Sequence, residues 1–152
     1  MFIDSQTIFS WAQSIFASGA DVVSTNIFDL APHLAANAAY AADTFAGKEF
    51  CIEALITTAV TGGTSIQPIL QTDSNTNFAT AMLEYPLCGA IPVASALAGK
   101  RVSYQVPNFG CKRYLRVAWR NVGANAAGAG SAWMGMDTQN ALIQSAGGFT
   151  VG

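Results

Sequence analysis

Histidine occurs once in this chain, at His33, and cysteine three times, at Cys51, Cys88 and Cys111. A single histidine in a loop after Pro32 excludes the multi-histidine metal site of a cupin, and zinc sites want clustered Cys and His. The cysteines are odd in number, far apart and in no CxxC pair, so they are not a disulfide framework; they read as reduced thiols of a cytosolic product. Charge is also scarce: charged residues make up 11% of the 152 residues, against about 25% in ordinary soluble domains. With 51% hydrophobic residues, the chain is rich enough in apolar side chains to fold, and disorder is excluded. A net charge of −2 does not suit a general nucleic-acid binder, so nucleic acid is not expected as a partner.

Other absences concern export and membranes. The first charge is Asp4 and no Lys or Arg precedes Lys48, so the basic start of a signal peptide is missing. The stretch FSWAQSIFASGADVVSTNIFDLA, residues 9–31, is broken by Ser10, Gln13, Ser14, Ser18 and Asp21. A membrane-spanning helix needs about 20 mostly apolar residues, so no membrane partner is expected. No N-x-Ser/Thr sequon occurs.

Catalytic patterns are absent too. A Ser-His-Asp triad would have to use His33, and there is no GxSxG elbow. The run GANAAGAG, residues 123–130, lacks the Lys-Ser/Thr of a phosphate loop and reads as a flexible small-residue loop at a contact point. Glu49 and Glu53 share an outward strand face, about 13 Å apart along the strand, which is wide for a glycosidase pair; they read as solvated face charges. No catalytic, cofactor or metal residue is assigned.

What the chain does contain is β pattern. Residues 8–17 fit an amphipathic helix through Ile8, Trp11, Ala12, Ile15 and Phe16, and equally the first arm of a hairpin turning at Gly19-Ala20-Asp21; residues 22–30 read as a strand. Residues 31–47 are Ala-rich, with a short helix about 34–42 or a loop. Strands are expected at 48–61, then, after a Gly62-Gly63 hairpin turn, at 64–72. Pro68 predicts an edge or bulge for that return strand. Further strands are expected at 78–85, 91–97, 101–106, 112–121 and 131–137, with Leu115, Val117 and Trp119 inward. These make eight or nine short strands in one domain, residues 1–152, with 1–11 as a candidate N-terminal arm. The pattern predicts an all-β, jelly-roll-like antiparallel sandwich.

Charge is segregated. Asp4, Asp21, Asp29 and Asp43 stand alone among the first 47 residues, whereas Lys100, Arg101, Lys112, Arg113, Arg116 and Arg120 share a stretch with no acid. This block reads either as a solvated face or as a docking patch for an acidic protein surface. Of the tryptophans, Trp119 belongs to the core pattern; Trp11 and Trp133 are candidate contacts to protein or sugar.

Three segments carry a resemblance: Phe9-Ser10-x-Ala12-Gln13, Ser24-Thr25-Asn26-Ile27-Phe28-Asp29-Leu30 and Arg113-Tyr114-Leu115-Arg116-Val117. Together they resemble the capsid cement (decoration) protein family of tailed, podovirus-like bacteriophages, with a departure at Ala31-Pro32. The resemblance implies a jelly-roll-like sandwich made in the host cytoplasm and located on the virion capsid. It implies a homodimer or homotrimer that bridges major-capsid subunits, with no enzymatic role, and it favours the hairpin for residues 9–30. Under it the candidate capsid or self contacts are Phe2, Trp11, Phe109, Arg116, Arg120 and Trp133, with the loops at 31–47, 107–111 and 123–130. A carbohydrate-binding jelly roll for host recognition is the alternative expectation.

Overall fold

A computed structural model describes residues 7–30, 51–79, 82–106 and 111–135. Ten strands run through them: β1 Ile8–Ser14, β2 Asp21–Val23, β3 Phe28–Asp29, β4 Cys51–Gly62, β5 Ser65–Asp73, β6 Leu83–Pro86, β7 Ile91–Pro92, β8 Arg101–Gln105, β9 Tyr114–Val122 and β10 Asn125–Gly135. All pair antiparallel. One sheet has the order β1-β10-β4-β8; the other has β2-β9-β5-β6, with β3 also on β9 and β7 also on β5. β2 and β3 lie end to end along β9, and β6 and β7 end to end along β5. Each short pair fills one position, so both sheets are four positions wide. The fold is an all-β sandwich.

The core lies between the sheets. Phe9, Ile52, Ala54, Ile56, Ala132 and Met134 meet Ile66, Leu70, Leu115, Val117 and Trp119. Full burial of each large side chain contributes roughly 1.5–3 kcal/mol. The inward set of β9 is the one its alternation predicts, because successive Cβ atoms of a strand point to opposite faces.

Several expectations about partners are corrected. Residues 8–14 are strand, but β1 and β2 are not a hairpin: β1 joins β10 in one sheet and β2 joins β9 in the other. The turn between them crosses the sandwich, with Gly19 at φ +64. The second arm is also split. After Val23, the Ser24 hydroxyl accepts from Val117 N at 3.2 Å, substituting for a strand carbonyl and ending β2.

Gly62-Gly63 is likewise a corner between sheets, not a hairpin. Both residues have positive φ, and a Cβ on Gly62 would lie 2.7 Å from Ala124 O, while one on Gly63 would strike the Asn125 side chain. A Gly pair permits either geometry; the partners β9 and β10 choose. Pro68 is not at a sheet edge, since β5 lies between β9 and the β6–β7 pair. The Pro68 carbonyl accepts from Leu87 N at 3.0 Å. Its missing N–H would point the same way, into the break between β6 and β7.

GANAAGAG is not a loop. From Asn125 onward it is strand, in the middle of its sheet between β1 and β4, and the strand expected at 131–137 is the continuation of β10 to Gly135. The small residues are needed because Trp119 reaches across the core: a Cβ on Gly130 would sit 2.9 Å from the indole and 3.1 Å from Ile15. Two other strands are shorter than expected. Among the described residues of 78–85 the strand begins at Leu83 and runs on to Pro86, and 91–97 turns into a 3-10 segment, Val93–Ser95, after Pro92. The expected helix at 34–42, most of the loops at 31–47 and 107–111, and residues 1–6 of the candidate arm lie outside the described residues.

Candidate functional site

β1 forms one edge of its sheet. Its register against β10 runs Ser10 to Ala132 and then Gln13 to Gly130, so β1 holds one residue more than its partner there. The extra residue is taken up at Trp11-Ala12. Ala12 has φ +46, a left-handed conformation that costs a non-glycine residue roughly 1–2 kcal/mol. Its N–H leaves the ladder and donates to Ser131 Oγ at 2.8 Å. Bulges at sheet edges re-aim side chains, and this one turns Trp11 out to 66% exposure.

The backbone beside Trp11 is partly closed. Asn26 N and Thr25 Oγ1 donate to Phe9 O, Asn26 Nδ2 donates to Ile8 O, and Gln13 Nε2 donates to Val23 O. These bonds join β1 to the β2–β3 segment and blunt the edge against strand addition. Phe16, Val23 and Ile27 are also exposed here. The edge therefore presents aromatic and branched side chains beside a partly closed backbone, which suits side-chain docking of another surface.

Three arginines of the basic block are held by acids of the same chain. Arg120 bonds Asp21 and Glu84; Arg113 bonds Asp29 through Nε and Nη2, both at 2.9 Å; Arg101 bonds Glu53 at 2.7 Å. These carboxylate hydrogen bonds are the first cause raising the Arg113 and Arg120 guanidinium pKa values. Arg116 donates to Gln71 Oε1 at 2.7 Å and lies 4.1 Å from the Phe78 ring centroid. Burial lowers its pKa, opposed by Asp73, Asp21 and Glu84. Gln71 in turn donates to Glu84. Arg116 and Arg120 thus belong to a cross-strand network over β2, β9, β5 and β6.

Trp133, a candidate capsid or self contact, is buried at 5% exposure in the isolated chain. It faces the outer side of its sheet, beside Glu53 in register and 5.6 Å from the Arg101 guanidinium. Glu53 is fully buried, not the solvated face charge its alternation predicted. Cys51 Sγ lies 3.9 Å from Glu53 Oε1. Phe2, Phe109, His33 and Glu49 fall outside the described residues. Among the described residues no cluster of three His, Cys, Asp or Glu side chains could hold a metal ion, and no helix is long and apolar enough to cross a membrane.

Sequence reasoning named Trp11 as a candidate contact but missed Ser131, the bulge's acceptor, and the exposed trio Phe16, Val23 and Ile27. It also missed Asn121, which is buried and donates through Nδ2 to Ile15 O and Ala20 O at 3.1 Å, tying the crossing after β1 to β9. Ser and Asn give no periodic signal. No protein-family model matches this chain, and no curated protein matches it significantly.

Proposed function

We propose that this chain is a structural virion protein that binds the major-capsid shell and stabilises it by bridging adjacent capsid subunits as a symmetric homo-oligomer, without enzymatic activity. Numbered by position along the chain, the sheets read 1-8-3-6 and 2-7-4-5. That order supports reading the sandwich as a jelly roll, in line with the resemblance of three sequence segments to phage cement proteins. The observation that carries the reading is Trp11, displayed by a strained bulge on an edge whose backbone is partly occupied. Strain held at a surface position where it serves no core packing fits a contact residue.

Many weak copies on a shell act together, because each is held at high effective concentration by its neighbours. A joint then opens only when the bridging contacts are lost. With Arg101, Arg113 and Arg120 held by acids of the same chain, docking rests on apolar contact and depends weakly on salt.

The test mixes the full chain with purified shells that lack it. Co-sedimentation at low and high salt, with raised tolerance of heat and osmotic shock, is expected; Trp11→Ser should weaken binding about tenfold or more. If shells without the protein withstand both insults as well as complete ones, the proposal fails. The carbohydrate alternative loses its platform, since Trp119 and Trp133 are buried; saturable glycan binding by the isolated chain would revive it.

A further inference from the structure

Among the described strands, three of the sheet edges carry devices that discourage another strand from pairing. β1 is twice out of step with β10, and its Ile8 and Phe9 carbonyls accept side-chain bonds. β2 and β3 are three and two residues long. β6 and β7 are four and two residues long, and they end in Pro86 and Pro92. The edge at β8 has none of these devices. Arg101–Gln105 pairs with β4 at every position without a shift, holds no proline or glycine, and has no described strand on its other side.

Ile56 N donates to Lys100 O at 2.9 Å. Alternation from that bond turns the backbone groups of Val102 and Tyr104 to β4, and those of Arg101, Ser103 and Gln105 away from it, to the edge. None of these edge N–H and C=O groups has a partner among the described residues. The space beside them is open: a cavity of about 460 Å³ runs from Arg101, Val102 and Ser103 to Leu87, Ala90 and Ile91. Val102 and Tyr104, on the inward face of β8, are only half-buried.

We infer that β8 pairs with β8 of a second copy, antiparallel and centred on Ser103, so that two sandwiches share one continuous sheet. The inference rests on the homo-oligomer part of the reading above, not on shell binding, and names its interface. The strand is complementary to itself. In this register Ser103 faces Ser103 of the second copy and Arg101 faces Gln105, so every edge N–H meets an edge C=O about a two-fold axis. Arg101 is the only charged residue of β8, and it faces a neutral amide. Val102 faces Tyr104, a branched-aromatic pair of the kind that stabilises sheets, on the side of the open cavity. A slip of one residue would set edge groups against groups already bonded to β4, and centring on Arg101 would oppose two guanidinium groups.

Sedimentation velocity of the full chain at micromolar to millimolar concentration is expected to show a reversible dimer. Gln105 is exposed, and its N–H makes no bond to β4 in this alternation. Gln105→Pro should therefore keep the fold, as prolines at sheet edges do, and raise the dimer dissociation constant about tenfold or more. Two further variants read the register with the backbone intact. Gln105→Glu sets a carboxylate opposite Arg101 of the second copy and should tighten the dimer about threefold; Gln105→Lys should weaken it by about the same factor. A dimer that responds to neither Gln105→Pro nor the charge pair, or that responds alike to Glu and Lys, overturns this inference and leaves the oligomer standing. A parent chain that stays monomeric throughout overturns the inference and the homo-oligomer together, while its shell binding is scored separately. Loss of shell binding by a monomeric Gln105→Pro, beside a parent that is also monomeric, assigns the edge to a strand of the shell protein and overturns the second copy as its occupant.

Discussion

Arg120 and Asp21 are 99 residues apart in the chain yet directly opposite on β9 and β2, joined from Nε to Oδ1 at 3.2 Å and from Nη2 to Oδ2 at 3.0 Å. Arg113 and Asp29 repeat the arrangement one short strand further on, beside the β3–β9 pairing. The base-only and acid-only segments of the chain are thus partners. Pairing β2 and β3 with β9 brings them together.

The Arg120–Asp21 pair is partly exposed, so solvent screening keeps its contribution small. A double-mutant cycle with Asp21→Asn and Arg120→Gln, read by urea unfolding, should give a coupling of about 0.2–1 kcal/mol. The coupling should shrink toward zero in molar salt.

Arg101 and Glu53 should behave otherwise, because Glu53 is fully buried. Arg101→Met leaves a buried carboxylate without its counter-charge and should cost about 3–5 kcal/mol. Adding Glu53→Gln removes that charge, so the double variant should be more stable than Arg101→Met alone. Chemical denaturation of the three variants checks the order.

Gly130 is where β10 yields to Trp119. Gly130→Ala should destabilise by about 1–3 kcal/mol through overpacking, with partial recovery when combined with Trp119→Phe. Gly89→Ala meets nothing within 4 Å and should stay within about 0.5 kcal/mol of the parent. Thermal unfolding distinguishes the two sites.

At the bulge, Ala12→Val should lose about 1–2 kcal/mol, since a β-branched residue resists the left-handed backbone. Ala12→Gly should lose nothing. Trp11→Ser should leave stability within about 0.5 kcal/mol while shell binding falls, which separates contact from folding.

Cys111 adds a pH dependence. Burial pushes its thiol from 9.0 up to about 11. The folded state therefore keeps a proton that the unfolded chain releases. The stabilisation is complete below pH 9 and is lost as pH rises through 11, by on the order of 1–2 kcal/mol. Urea midpoints followed across that window should fall more steeply for the parent than for Cys111→Ala.

The sandwich was legible in the sequence where alternation is local. Leu115, Val117 and Trp119 point inward because period-2 spacing with apolar alternates leaves no other burial. Trp11 was legible as a contact candidate, but its display was not, since the bulge depends on Ser131, 120 positions away. Trp133 and Glu53 were misjudged for a related reason. A strand's outer face is solvated only if nothing covers it, and alternation is silent on that.

By itself, then, the sequence determined the strand-rich class, the turn positions at Gly19 and Gly62-Gly63, and the inward face of β9. These follow from backbone sterics and the two-residue period, which act within a few residues. Tertiary structure decided which strands are neighbours. It made corners of two expected hairpins, a central strand of a supposed glycine loop, and ion pairs of Arg101, Arg113 and Arg120. Strand pairing, charge pairing and the space a tryptophan leaves to a glycine are long-range relations, and residues that share no local segment settle them.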